Sequence, residues 1–135
     1  MSLAERIEKV PIFSGLERKD LDAVAQAFRE VSFSPGETII KDSDRSPGFY
    51  VMLEGAAEAR RGGEAVASLK PGEFFGELVA LGFQRQRTAD VVAVERCTCI
   101  VAGQQALQSL ISRHGVVGRQ ILGEIRKRYA GEGQA

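Results

Sequence analysis

Apolar residues fall into two rhythms along this chain, and the rhythm changes twice. Leu16, Leu21, Val24, Ala25 and Phe28 recur near a 3.6-residue period, with Glu17 and Asp20 early, where a helix dipole favours acidic groups. This spacing predicts an N-terminal helix. Ser34-Pro35-Gly36 then breaks the pattern. From there to about residue 102 the apolar positions come in short runs: Thr38–Ile40, Phe49–Leu53, Ala56–Arg60, Ala65–Leu69, Val91–Val94 and Cys97–Val101. Gly62-Gly63 is a two-residue hairpin signal, and Gly55 and Pro71-Gly72 mark further turns. Short strands with turn residues every roughly 8–12 positions predict a sandwich or roll.

After Ala102 the helical spacing returns. Leu107, Leu110 and Ile111 make one face, and Val117, Ile121, Leu122, Ile125 and Tyr129 make a stripe along a second helix. Arg126, Lys127 and Arg128 are expected in its last turn, where cations complement the dipole, and residues 131–135 as a frayed tail. There is no internal repeat, low-complexity segment or linker. The expected organisation is one domain over residues 1–135, helical over 1–30, a β-roll over 31–102 and C-terminal helices over 103–130.

Composition narrows the function classes. The 135 residues suit one core, and 44% apolar with 27% charged residues fits a soluble globular chain. Lys plus Arg equal Asp plus Glu at 18 each, which argues against a broad nucleic-acid surface. No apolar run approaches the roughly 18 residues that would span a membrane. The first residues lack the basic-then-apolar order of a signal peptide. The expectation is therefore a cytoplasmic protein with no membrane partner.

Cys97 and Cys99 would share one face of a strand, a poor geometry for a disulfide. They are expected as small buried hydrophobes. With only one histidine, His114, the chain has too few ligands for a metal centre, which sets aside a metal-dependent enzyme on a similar roll. No catalytic residue, metal or cofactor is expected.

Residues 72–91, GEFFGELVALGFQRQRTADV, interrupt the strand region with a piece of helical texture. Gly76 and Glu77 precede a short apolar turn, Leu78, Val79, Ala80 and Leu81; Arg87, Thr88 and Ala89 follow one small loop later. Glu77 can accept a hydrogen bond from a sugar hydroxyl, Arg87 can neutralise a phosphate, and a helix start between them offers free N–H groups to an anion. Glu77 and Arg87 taken alone could equally be an ion pair at a turn. Within the whole stretch they compose a receptor for a sugar phosphate. Phe74 and Phe75 are expected in the core, Arg85 in solvent, and His114 at a helix junction.

The sequence resembles the cyclic-nucleotide-binding domain family: the regulatory domain of catabolite-activator-type bacterial proteins, cyclic-nucleotide-dependent kinases and cyclic-nucleotide-gated channels. The resemblance covers nearly the whole chain. Val10-Pro11-Ile12-Phe13-Ser14-Gly15-Leu16 is similar to the family's opening segment, Pro35-Gly36-Glu37-Thr38-Ile39-Ile40 to the start of its roll, and Tyr50-Val51-Met52-Leu53-Glu54-Gly55 to its central strand and turn. Gly72-Glu73-Phe74-Phe75-Gly76-Glu77-Leu78 with Arg87-Thr88-Ala89 is similar to its phosphate-binding cassette.

The resemblance implies a mainly β fold with flanking helices: a double-stranded β-roll (jelly roll) with an N-terminal helix, a short cassette helix and two C-terminal helices. It implies that Glu77 holds the ribose 2′-hydroxyl and that Arg87 pairs with the cyclic phosphate. Backbone N–H groups around Gly76, Leu78, Val79 and Ala89 would complete the cradle, with the Thr88 hydroxyl. The last helix would cap the base, with Ile121, Ile125 and Arg128 as candidates. Three positions depart from the family pattern: Val79 for an alanine, Gln86 for a proline, and Ser43 for the glycine often found before Asp44.

The implied function is a non-catalytic regulatory module in which ligand occupancy sets the position of the C-terminal helix. That helix would report to an effector or to a second subunit of a homodimer. Thr88 is compatible with cyclic GMP and with cyclic AMP; the bacterial look of the sequence inclines the expectation to cyclic AMP. The alternative is a degenerate roll that binds no nucleotide and serves dimerisation or docking. A DNA-binding helix-turn-helix would need residues after about 130, so no nucleic acid is expected as a partner of this chain by itself.

Overall fold

The computed structural model describes residues 2–133. Ser2 opens helix α1 (Leu3–Glu8): its Oγ accepts the Glu5 backbone N–H at 3.2 Å, satisfying a donor that the first helical turn leaves without an intrahelical partner. A 3-10 turn at Pro11–Phe13 buries Ile12 and Phe13 and leads into α2 (Arg18–Ala27). Eight strands follow: β1 (Arg29–Phe33), β2 (Thr38–Ile40), β3 (Phe49–Glu54), β4 (Ala57–Arg61), β5 (Glu64–Leu69), β6 (Phe74–Phe75), β7 (Asp90–Ala93) and β8 (Cys97–Ala102). The short α3 (Glu77–Ala80) lies between β6 and β7, and α4 (Gln104–Arg113) and α5 (Gly115–Gly133) close the chain.

The strands form two antiparallel four-stranded sheets, ordered β1-β8-β3-β6 and β2-β7-β4-β5. Alternation along each strand splits the apolar residues between two cores. On β8, Cys97 and Cys99 face the roll interior with Met52, Phe75 and Val91, while Ile100 and Ala102 face the helices. Every residue of β8 is buried because both faces are covered. The helix-facing core continues through Phe49, Val51 and Phe74 to Val24, Leu107, Val117 and Ile121. His114 stands at the α4–α5 junction, where its Nδ1 lies 3.1 Å from Oδ1 of the buried Asp20 of α2.

The architecture is the mainly β, two-sheet roll with flanking helices that the pattern predicts. Local differences are instructive. Strand β1 begins at Arg29, two residues inside the span expected to be helical, because Arg29–Phe33 pairs residue by residue with β8. Phe74–Phe75 adds a two-residue edge strand to β3. Helix α5 continues to Gly133, so Arg126, Lys127 and Arg128 are not in its last turn and the expected frayed tail is helical through residue 133; residues 134–135 lie outside the described residues. Arg128 finds a specific partner instead of the helix end.

β6 ends one sheet and β7 belongs to the other, so the segment between them bridges the two sheets at one end of the roll.

Candidate functional site

The chain leaves β6 through Gly76, whose φ of 84° is left-handed. A Cβ there would stand 2.6 Å from the Gly48 carbonyl oxygen and 2.8 Å from Arg87 Nη1, so conformation and space both call for glycine. Helix α3 starts at the next residue. Its first intrahelical bonds are donated by Ala80 to the Gly76 carbonyl at 3.1 Å and by Leu81 to the Glu77 carbonyl at 2.9 Å. A first turn leaves its earlier N–H groups without intrahelical acceptors. The residues that carry them, Leu78 and Val79, line a cavity of about 180 Å³.

That cavity gathers the sequence-predicted cassette. Gly76, Glu77, Leu78, Val79, Arg87, Thr88 and Ala89 all line it, with Ile40, Ala59 and Val91 from the roll, Gln84 from the loop and Arg128 from α5. Ile121 and Ile125 are elsewhere: they are 0% and 7% exposed in the helix-facing core. Of the three base-cap candidates, Arg128 alone reaches the cavity. Thr88 is exposed at its rim, where its carbonyl accepts Arg61 Nε at 3.2 Å.

Arg87 is 6% exposed. Its Nη1 donates to the Gly76 carbonyl at 3.0 Å and its Nη2 to the carbonyls of Ser46 at 2.5 Å and Gly48 at 2.8 Å. Its Nε–H is buried and has no partner among the described residues. The acceptors are neutral dipoles. Burial pulls the guanidinium below its ordinary pKa, an effect opposed by Tyr50, Asp44 and Glu77. A guanidinium nonetheless stays protonated in proteins. Among the described residues the site therefore holds a desolvated cation with a spare donor and no paired carboxylate, an arrangement able to accept an anion.

Backbone bonds set where Arg87 sits. Its N–H donates to the Asp44 carbonyl at 2.8 Å, and its carbonyl accepts the Ser43 N–H at 3.1 Å. Asp44 Oδ1 accepts the Ser46 N–H at 2.9 Å, which holds its carboxyl below the usual range. Ser43 adopts φ 69°. The turn thus holds a serine in the left-handed region, where glycine is ordinarily favoured.

Glu77 is 4% exposed and does not pair with Arg87. Its Oε1 accepts the Tyr129 hydroxyl and lies 3.5 Å from Arg128 Nη1, both on α5. Arg128 Nη1 also donates to the Phe74 carbonyl at 2.7 Å, and its Cζ lies 4.9 Å from the Phe74 ring centroid. Phe74 and Phe75 are buried, with Phe75 stacked on Tyr50 at 5.1 Å.

Tyr129 is the site residue that sequence reasoning assigned only to packing. The signal was its place one turn beyond Ile125, where a hydroxyl ends an apolar stripe. Among the described residues no group of three or more His, Cys, Asp and Glu side chains is placed to hold a metal.

A model of the cyclic nucleotide-binding domain matches residues 30–114, which include the roll and the whole cassette. The chain is 36% identical over 105 residues to a cAMP-dependent protein kinase regulatory subunit of Hypocrea atroviridis, an alignment covering 78% of this chain and 22% of that protein. It thus spans under a quarter of that relative's length. Among solved structures, the catabolite activator protein of Thermus thermophilus superposes with a TM-score of 0.81 at 26% identity, over 92% of this chain and 60% of that one. The N-terminal domain of a transcriptional regulator from Streptomyces coelicolor superposes with a TM-score of 0.77 at 23% identity, over 96% of both chains, a likeness of fold. With the family model matched over residues 30–114 and the buried Arg87 facing the cavity in the fold, this chain belongs to the cyclic nucleotide-binding domain family.

Proposed function

We propose that this chain is a non-catalytic regulatory receptor for a cyclic nucleotide, with cyclic AMP as its ligand. The observation that carries the reading is Arg87: a buried guanidinium with an unpartnered Nε–H, surrounded by neutral carbonyls and opening on the cassette cavity. A cyclic phosphodiester has a single negative charge and oxygens that one guanidinium can meet with paired donors. In this reading the Leu78, Val79 and Ala89 backbone groups and the Thr88 hydroxyl complete the phosphate cradle. Glu77 takes the ribose 2′-hydroxyl, and Arg128 lies over the base end. Cyclic AMP is favoured by the similarity to a cAMP-dependent kinase regulatory subunit.

Helix α5 is the output element in this proposal. It touches the site through Arg128 and Tyr129 and carries the exposed Val116 and Leu122, 47% and 36% accessible, which can meet an effector or a second subunit. A cytoplasmic setting fits the two free buried cysteines, and no described helix is long and apolar enough to cross a membrane.

A second reading is a roll that binds no nucleotide and acts in docking. It is favoured by the partners that Glu77 already has on α5. A thermal-shift panel separates the two. Cyclic AMP at about 100 times its Kd should stabilise the protein by about 2.7 kcal/mol by mass action. Cyclic GMP should give a smaller shift and 5′-AMP none. Arg87→Glu should abolish the response. A flat panel at millimolar nucleotide selects the docking reading.

A further inference from the structure

Strand β4 ends on two adjacent arginines with different surroundings. Arg60 Nε donates to Glu58 Oε1 at 2.6 Å, so its charge is met within its own strand. Arg61 makes no ion pair with any described carboxylate, including Glu64, its partner across the β4–β5 hairpin. Its one hydrogen bond among the described residues runs from Nε to the Thr88 carbonyl at 3.2 Å. Ala59 and Arg60 of β4 stand opposite Val91 and Asp90 of β7, and Ala59 and Val91 both line the cassette cavity. Continuing that register by one residue sets Arg61 beside Ala89, which also lines the cavity. Strand alternation puts Arg61 on the face shared by Ala57, in the roll core, and Ala59, in the cavity wall. The exposed Arg61 side chain therefore stands at the cavity mouth, anchored to the residue that follows Arg87.

We propose that Arg61 is a second cation of the nucleotide site, a guanidinium at the mouth that draws the anionic phosphate toward the buried Arg87. The proposal rests on the reading of the cavity as a cyclic-nucleotide receptor. Basic and acidic residues balance at 18 each, so no net charge attracts an anion and steering falls to local groups. Arg87 is buried, and the nearby Asp44 and Glu77 carboxylates offset its field toward solvent. Arg61 stands in water, where a charge acts over about one Debye length, roughly 8 Å at physiological ionic strength. Its bond to a neutral carbonyl fixes where the charge sits without cancelling it. A charge in this position sets how fast an anion arrives and how strongly salt slows that arrival, more than how fast the anion leaves.

Stopped-flow binding of fluorescent cyclic AMP and cyclic GMP analogues tests this in the native chain, Arg61→Gln and Arg61→Lys. Glutamine keeps a donor for the Thr88 carbonyl and removes the charge, whereas lysine keeps the charge. At about 0.01 M ionic strength, where the Debye length is near 30 Å, Arg61→Gln should associate roughly threefold more slowly, with dissociation unchanged. The deficit should vanish at about 1 M salt, where that length is near 3 Å. It should be equal for both analogues, because the charge lies on the phosphate they share. Arg61→Lys should associate at the native rate. An unchanged association rate in Arg61→Gln at low salt overturns the proposal and leaves the receptor reading standing. A deficit that persists at high salt, or that lysine does not restore, also overturns it, since Arg61 would then act only as a brace for Thr88. A native chain that binds neither analogue at millimolar concentration overturns the receptor reading and the proposal with it.

Discussion

Arg87 Nη1 donates to the carbonyl of Gly76 at 3.0 Å, and the absence of a side chain on Gly76 is what lets the guanidinium lie there. Gly76→Ala would place a methyl group against Arg87 and the Gly48 carbonyl while holding an L-residue at φ 84°. The backbone strain alone should cost about 1–3 kcal/mol, read as a lower urea midpoint at unchanged m-value. Arg87 would have to move, so cyclic AMP affinity should fall with stability. Full affinity in a destabilised variant would show that the guanidinium geometry is not what the ligand reads.

Ser43 gives the opposite prediction. It holds φ 69° in the turn whose backbone positions Arg87. An L-residue in the left-handed region is strained by about 1–2 kcal/mol, partly offset because glycine loses more backbone freedom on folding. Ser43→Gly should therefore stabilise by roughly 0.5–1 kcal/mol and raise the melting temperature by a few degrees. A lower melting temperature would mean that the Ser43 Oγ bond to Asp42 at 3.3 Å outweighs the strain.

Val79 lines the cavity and is 6% exposed, so its methyl groups serve packing while narrowing the space for a ligand. Val79→Ala should lose about 1–2 kcal/mol of stability from the removed apolar volume. Cyclic AMP affinity should rise severalfold as the cradle widens. A fall in affinity parallel to stability, measured by titration calorimetry, would show that the side chain shapes the cradle rather than crowding it.

The two thiols set an alkaline limit. Burial pushes Cys99 up to about 12 from an ordinary 9.0, and Cys97 also rises, chiefly by burial. A group whose folded pKa is raised contributes stability that is complete below its unfolded pKa and lost as pH climbs toward the folded one. For Cys99 the loss should begin near pH 9 and continue toward 12, at a limiting slope of about 1.4 kcal/mol per pH unit. Cys99→Ala should flatten that slope, at the cost of a lower neutral-pH stability. In the native chain both thiols should resist alkylation at pH 8, because the thiolate is the reactive form.

Legibility differed between elements for physical reasons. Six of the eight strands show in the sequence because each carries its own apolar run between turn residues. Arg29–Phe33 has no buried residue, and Phe74–Phe75 is too short to show a period. Both are strands because β8 and β3 offer them backbone partners. Capping by Ser2 and Glu5 was a readable start signal for α1 that the apolar spacing does not reveal.

The cassette is local: Gly76 to Ala89 carries its own turn, carboxylate and guanidinium, so residue types and spacing alone point to the family. What Glu77 and Arg87 touch is not local. Arg87 meets carbonyls 39 and 41 residues away, and Glu77 meets α5 51 and 52 residues away. The sequence by itself determined the roll, the cassette and the buried thiols, because each is written in the polarity of neighbouring positions. Only the tertiary structure decided that Ile121 and Ile125 are core, that Arg128 reaches the cavity, and that Tyr129 holds the carboxylate, because the angle at which α5 packs on the roll is set by the whole interface beneath it and by no single stretch of chain.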